Sequence, residues 1–440
     1  MSLGSALRVV ALADTDSYVK WGAALLASRP DAIDATLLIV ETPLVVSAAQ
    51  QRAAVAGSGL SPERVRRVAH TALADELGRL APDAVLIAAR GPLARVLARA
   101  VASLEPRPVI VTGLPGISIP ATRKALHFRM QSDLFVLHSH REVREFAALA
   151  TERGVAMRFG LARLPFARSA DPGAHDGWRP DGDLVFAAQA IVPRERADRR
   201  RVAALLRAAA HVRPDQRVVL KLRAVRGEHQ THAERDGYVE MLAELGPVPA
   251  NLVVSTEPMA RALKNAQGLV TVSSTAAIEA VARGIPVIAL DTFGVSDDLI
   301  NTVFVGSGLL AGEDAVIARD LRLPDAAWLR ENYLHDAGDD DWVPALAALV
   351  ARRRAGTLPP RPPLRRTGGR VRDAFEHKLA FGGRDRSVSG LVALSIGAPL
   401  REVVRLCYRV RRLVGERQPV SRSAPWMRRR SSSSAPISTQ

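Results

Sequence analysis

Leu269-Val-Thr-Val-Ser-Ser-Thr-Ala-Ala-Ile-Glu-Ala-Val-Ala-Arg-Gly-Ile-Pro-Val-Ile-Ala-Leu290 places a strand, a polar turn, a helix and a second strand within one short stretch. Leu269 to Val272 is an apolar run, and Ser273, Ser274 and Thr275 are residues that start helices. Ala276 to Arg283 has helical composition and is closed by Gly284, after which Pro286 to Leu290 reads as a buried strand. A strand feeding a hydroxyl-rich helix start leaves backbone N–H groups unpaired and aimed at one spot, which favours a phosphate or another anion. Glu279 stands one turn further along the same helix.

The rhythm extends in both directions. Arg8–Ala13, Ala35–Val40, Ala84–Ala88, 108–112 and 134–138 read as strands, alternating with helices over 20–28, 62–80, 93–103 and 141–152. After a segment rich in Pro, Gly and Asp the alternation restarts, with strands at 184–188, 217–222, 252–255 and 269–272. Such alternation implies parallel sheets covered on both faces. With 440 residues and 48% hydrophobic content the chain exceeds what one core usually holds, so two are expected. The fold class is therefore α/β, with two Rossmann-like doubly wound domains. We place the first at residues 1–165, a linker at 166–183, the second domain at 184–350 and a basic extension at 351–440.

The run Glu279-Ala280, Gly284, Pro286-Val287-Ile288 resembles the E-A-x-x-x-G-x-P-V-I signature in the C-terminal domain of GT-B glycosyltransferases, whose two domains face each other across a cleft. The doubled serine is also similar to the serine motif of bacterial capsule and polysialic acid transferases. The resemblance implies a nucleotide-sugar donor, with Ser273, Ser274 and Thr275 facing its phosphates and Glu279 its ribose. No separate cofactor is implied, since the nucleotide-sugar is a substrate.

Ligands of doubly wound sheets bind beyond the strand C-termini, so the strand ends supply the remaining candidates. Asp14 and Asp16 follow the first strand. Each is a candidate base for an acceptor hydroxyl, and Asp16 or Ser17 is equally suited to cap the next helix. Lys20, and the glycines Gly113 and Gly116 with their open backbone, are acceptor-side candidates. His138 ends a strand and has the pKa range of an acid or base. Ser139 with Glu142 has the form of a capping box, which leaves His138 to face the cleft. Strand alternation places Lys221 and Arg223 on one side, where two cations would stabilise a departing nucleotide. Asp14-Thr-Asp16 has the letters of a metal motif but stands where a GT-B enzyme does not use one, so no metal is expected.

Residues 351–440 hold 21 of the 61 Lys and Arg but only 5 of the 45 Asp and Glu, so the entire excess of +16 lies there. A neutral body with 4% aromatic residues argues against a nucleic-acid binder. Within the tail, 399–416 has the pattern of a basic amphipathic helix, suited to an anionic membrane surface or to packing back on the body. The lone Cys407, no signal-peptide pattern at the N-terminus and no apolar run near 20 residues suggest a cytoplasmic protein, peripheral at the inner membrane face. The expected function is sugar transfer from a nucleotide-activated donor to a glycan or lipid-linked acceptor in cell-surface polysaccharide or glycolipid synthesis. The alternatives are a nucleotide-sugar 2-epimerase-like enzyme and a non-catalytic nucleotide-binding scaffold.

Overall fold

The computed structural model describes residues 6–44, 47–56, 58–167, 178–222, 237–361 and 369–415. Two parallel sheets organise it. The first joins β1 (Leu7–Ala13), β2 (Ile33–Val40), β3 (Val65–Val68), β4 (Ala84–Ala88), β5 (Val109–Gly113), β6 (Leu134–Leu137) and β7 (Phe159–Leu161) in the order β3-β2-β1-β4-β5-β6-β7. The second joins β8 (Trp178–Ala187), β9 (Val218–Lys221), β10 (Leu252–Ser255), β11 (Ala266–Thr271), β12 (Val287–Leu290) and β13 (Leu310–Ala311) in the order β10-β9-β8-β11-β12-β13. Every pairing between these strands is parallel. The strands that read as continuous apolar runs, such as Ala84–Ala88 and Val287–Leu290, are buried along their whole length, as helices on both faces require.

Both sheets reverse their winding direction beside the first strand of the sheet. In the first the switch falls between β1 and β4, in the second between β8 and β11. The loops after those four strands therefore open the two crevices available to a ligand.

Several elements differ from the expectation. Residues 62–80 were read as one helix, but Val65–Val68 forms an edge strand, with Arg66 and Arg67 exposed and Val65 and Val68 buried. Two arginines on a four-residue edge hide its strand character. β8 begins at Trp178, inside the expected linker. The helix Trp342–Arg354, assigned by sequence to the second domain and the start of the tail, returns to the first. Trp342, Val343, Leu346, Leu349 and Val350 share a core with Val9, Ala11, Val111 and Val136 of the first sheet. Gly160 in β7 gives the helix its close approach, since a Cβ there would come within 3.1 Å of Trp342.

The described residues up to Arg361, with Ala380–Asp385, make one compact unit, and Gly369–Leu379 with Arg386–Gly415 make a second. In the first unit Phe381 stacks on His70 and Arg384 pairs with Glu41 at 2.6 Å. In the second, the helix expected at 399–416 is longer and starts earlier, at Val388, running to Gly415. Its residue Gly397 admits the ring of Phe375 from the preceding helix, while Val388, Leu391, Val392, Ile396 and Leu400 stay exposed. No helix among the described residues is long and apolar enough to cross a membrane.

Candidate functional site

The first switch point is built from Asp14, one residue beyond β1, and Arg90, two beyond β4. Arg90 donates to the Asp14 carboxylate from its Nε at 2.7 Å and from its backbone N at 3.3 Å. The side chain of Asp14 is fully buried and that of Arg90 is one-third exposed. Burial raises the Asp14 pKa above its ordinary value, and the Arg90 charge and hydrogen bonds offset part of that shift. Asp14 therefore reaches the crevice only through Arg90.

Asp16 opens the helix Asp16–Ala27, for which Thr15 takes the N-cap position without a side-chain capping bond. Asp16 and Ser17, read as caps, lie inside the first turn rather than at the N-cap position. Ser17 instead donates its hydroxyl to Asp16 Oδ1 at 3.3 Å. Lys20, one turn on, extends across to the other domain, where its Nζ lies 3.4 Å from Glu279 Oε1. Residues four apart share a helix face, so Asp16 stands on the face turned toward the second domain.

The second switch point has the same construction. Gln189, two residues beyond β8, accepts from the backbone N of Ser273 at 2.9 Å and donates to its hydroxyl at 3.0 Å. Ser274 N donates to Thr271 Oγ1, and Ala276 N donates to Ser274 Oγ, both at 3.2 Å. The expectation of open N–H groups is thus corrected at Ser273, Ser274 and Ala276, whose donors are taken by neighbouring side chains. The helix itself spans only Ala276–Val281, and Gly284, at φ +69°, turns the chain into β12 while Ile285 N bonds back to Ala280 O. Lys221, at the end of β9, is buried and donates to the carbonyl of Leu222. Arg223 lies outside the described residues.

Thr275 ties the two crevices together. Its hydroxyl accepts from Ile117 N at 3.4 Å, and a Cβ on Gly116 would come within 2.6 Å of it. Gly116 is therefore a point of contact between domains. Gly113 serves packing, because a Cβ there would collide with the indole of Trp21.

His138 does not face the cleft. It is fully buried, with Trp21 Nε1 donating to its Nε2 at 2.7 Å and its Nδ1 bonded to the Ala162 carbonyl at 2.8 Å. Burial lowers its pKa to about 4, so the ring is neutral and held as a strut under the β5 loop. The neighbouring cap reading holds, since Ser139 Oγ accepts from Glu142 N at 3.0 Å. Glu142 does more than complete a cap. Its carboxylate accepts from Tyr333 Oη at 2.7 Å and from Ser118 N and His138 N at 2.8 Å each, which braces the β5 loop against a residue in the core of the second domain.

Burial raises the Glu142 pKa to about 7 from 4.5. Between those values the folded chain holds a proton that the unfolded chain has released, so this group's contribution to stability falls as pH rises. Full deprotonation corresponds to about 3 kcal/mol. Denaturant unfolding at pH 5 and pH 8 should show a smaller pH-dependent loss in Glu142→Gln than in the wild type. An identical slope in both would count against the buried, proton-holding carboxyl.

A cleft of about 640 Å³ opens at the first switch point. It is lined by Ser17 and Tyr18, by Arg90 and Gly91, by the 114–118 loop, by Lys124, Phe128 and Arg129, and by Thr275 from the other domain. Arg90 was legible by the same strand-end rule that found Asp14. Lys124 and Arg129 sit on a helix, Arg123–Arg129, that carries no such signal.

Two doubly wound domains with their switch points joined by Lys20–Glu279 and Gly116–Thr275 define the GT-B class. A family model described as "Putative glycosyltransferase (DUF6716)" matches residues 9–349, and the chain belongs to that family. Among solved structures, a Listeria monocytogenes protein described as a "putative UDP-N-acetylglucosamine 2-epimerase" is 11% identical with a TM-score of 0.51, covering 83% of this chain and 100% of that one. A Polygonum tinctorium UDP-glucosyltransferase is 11% identical at TM-score 0.46, covering 79% and 99%. The UDP-GlcNAc 2-epimerase of Neisseria meningitidis, solved with UDP-GlcNAc, is 12% identical at TM-score 0.44, covering 80% and 99%. At 11% identity the likeness to the Listeria protein is one of fold. No curated protein matches the chain.

Proposed function

We propose that this protein moves a sugar from a nucleotide-activated donor to a glycan or lipid-linked acceptor in cell-surface polysaccharide or glycolipid synthesis. The observation that carries this reading is the Lys20–Glu279 bridge at 3.4 Å, which puts the signature glutamate of one domain opposite the acidic helix start of the other. In this reading Glu279 accepts from the ribose hydroxyls, and Ser273, Ser274, Thr275 and Lys221 meet the donor phosphates, together with Arg223. Asp16 takes the proton of the acceptor hydroxyl as its oxygen attacks the anomeric carbon. The bond from that carbon to the donor phosphate breaks, and the nucleotide leaves with the electron pair. Asp14 acts by holding Arg90. His138 is left out, being buried with both ring nitrogens bonded.

A panel of UDP, GDP, TDP, CMP and their common sugar conjugates, read by thermal shift, tests the donor. A saturable shift with one nucleotide is expected, and no shift with any of them would count against a nucleotide-sugar donor. The Listeria fold relative is described as an epimerase of a nucleotide-sugar, which keeps a second reading in play. Conversion of UDP-GlcNAc to its C2 epimer without any acceptor would favour it.

We further place the enzyme at the cytoplasmic face of the membrane. The exposed apolar stripe Val388, Leu391, Val392, Ile396 and Leu400 continues into the arginine-rich part of the same helix. An apolar stripe flanked by cations suits an anionic bilayer, each nearby cation contributing about 1 kcal/mol. Deleting residues 386–440 should release the protein from liposomes containing phosphatidylglycerol in a flotation assay. Undiminished flotation of the truncated chain would count against this placement.

A further inference from the structure

The cleft at the first switch point has a charge that the sugar-transfer reading leaves unused. Three cations, Arg90, Lys124 and Arg129, line it, and no Asp or Glu does. Arg129 is buried, and among the described residues its guanidinium bonds uncharged oxygens: the carbonyls of Gly113, Ala125 and Ala89 and the hydroxyl of Tyr18. A buried cation without a carboxylate partner is costly, and an anion entering the cleft would offset that cost. Arg90 gives its Nε to Asp14, which leaves its terminal nitrogens with no partner among the described residues. Lys124 stands exposed at the rim, with no carboxylate partner among those residues.

The backbone adds to the same field. The helices Asp16–Ala27 and Gly91–Ala102, each of twelve residues, both begin at the wall of this cleft, and their N-cap residues Thr15 and Arg90 make no side-chain capping bond. Their positive ends point where the cations already lie. Phe128, Pro92 and Leu114 supply an apolar wall beside the charged one. The volume of about 640 Å³ is large enough for a sugar residue bearing a charged group.

We infer that the acceptor is anionic: the cleft takes a phosphate or carboxylate group carried near the reacting hydroxyl of the acceptor glycan or lipid. Lys124 and Arg90 hold that group and Arg129 backs it. The inference rests on the reading of this protein as a sugar transferase with its acceptor in the first domain. A neutral acceptor would leave Lys124 and Arg129 without a negative partner among the described residues, Arg90 alone being paired, with Asp14.

Isothermal titration of the full chain at constant ionic strength, with glucose 6-phosphate, glucuronate and neutral methyl glucoside, tests this directly. Both anions should bind, the neutral sugar at least tenfold more weakly, and Lys124→Glu should weaken anion binding at least fivefold with nucleotide affinity unchanged. Tighter binding of glucose 6-phosphate than of glucuronate assigns phosphate, and the reverse assigns carboxylate. Lys124→Ala, expected to give a smaller loss of the same sign, controls for the reversed charge. Three results would overturn the inference: equal binding of neutral and anionic sugars, an undiminished affinity in both variants, or competitive displacement of the anion by the nucleotide, which would make this the donor's phosphate site. Anion binding in a protein that binds no nucleotide would sink the transferase reading and leave the anion site standing. Nucleotide binding without anion binding would do the opposite.

Discussion

Asp16→Asn should lower kcat by about 10²- to 10⁴-fold, the usual contribution of a positioned general base, while leaving nucleotide affinity within about twofold of the wild type. Asp16 is preferred over Asp14 on geometry. Asp14 is sealed behind Arg90, whereas Asp16 is partly exposed one turn before the lysine that spans the cleft. Asparagine keeps the size and can still accept from Ser17, so folding should be unaffected. Asp14→Asn should behave differently. It frees the Arg90 guanidinium, so the acceptor KM should change more than kcat. A larger kcat loss in Asp14→Asn than in Asp16→Asn, measured with the donor and acceptor pair in hand, would reverse the assignment.

Glu279→Ala should weaken nucleotide binding by about 10- to 100-fold, measured by titration with the nucleotide that shifts the melting curve. Hydrogen bonds to a charged acceptor contribute about 1.5–3 kcal/mol, and 1.4 kcal/mol is tenfold in affinity. The side chain is largely buried and bridged to Lys20, so truncation also removes that bridge. Lys20→Ala separates the two effects. If the bridge only holds the domains together, both variants should lose the same affinity. If Glu279 bonds the ribose, Lys20→Ala should keep most of it. Unchanged nucleotide affinity in Glu279→Ala would remove the ribose role.

The central strands of both sheets were legible because a parallel strand buried on two faces must be apolar at every position, as in Ala84–Ala88 and Val287–Leu290, whereas the short edge strands Val65–Val68, Phe159–Leu161 and Leu310–Ala311 were not. The turn at Gly284 was legible because a left-handed residue there favours glycine. The pairing of Ser139 with Glu142 was legible as a cap, yet its link to Tyr333 spans 191 residues and has no local signature. His138 failed as a cleft residue because a histidine at a strand end reads the same whether its ring turns outward or into the core. Helix Trp342–Arg354 was misplaced because an apolar stripe announces that a face is buried without naming the core that covers it.

The amino-acid order by itself determined the alternation of strand and helix, the two-domain division and the place of the glutamate signature, since these follow from burial and local backbone preference along one segment. Tertiary structure alone decided that Lys20 meets Glu279, that Thr275 touches Gly116, and that Arg90, Lys124 and Arg129 share one cleft. Those meetings join residues up to 259 positions apart, and their energies depend on distance and burial, which arise only when both domains have folded and closed on each other.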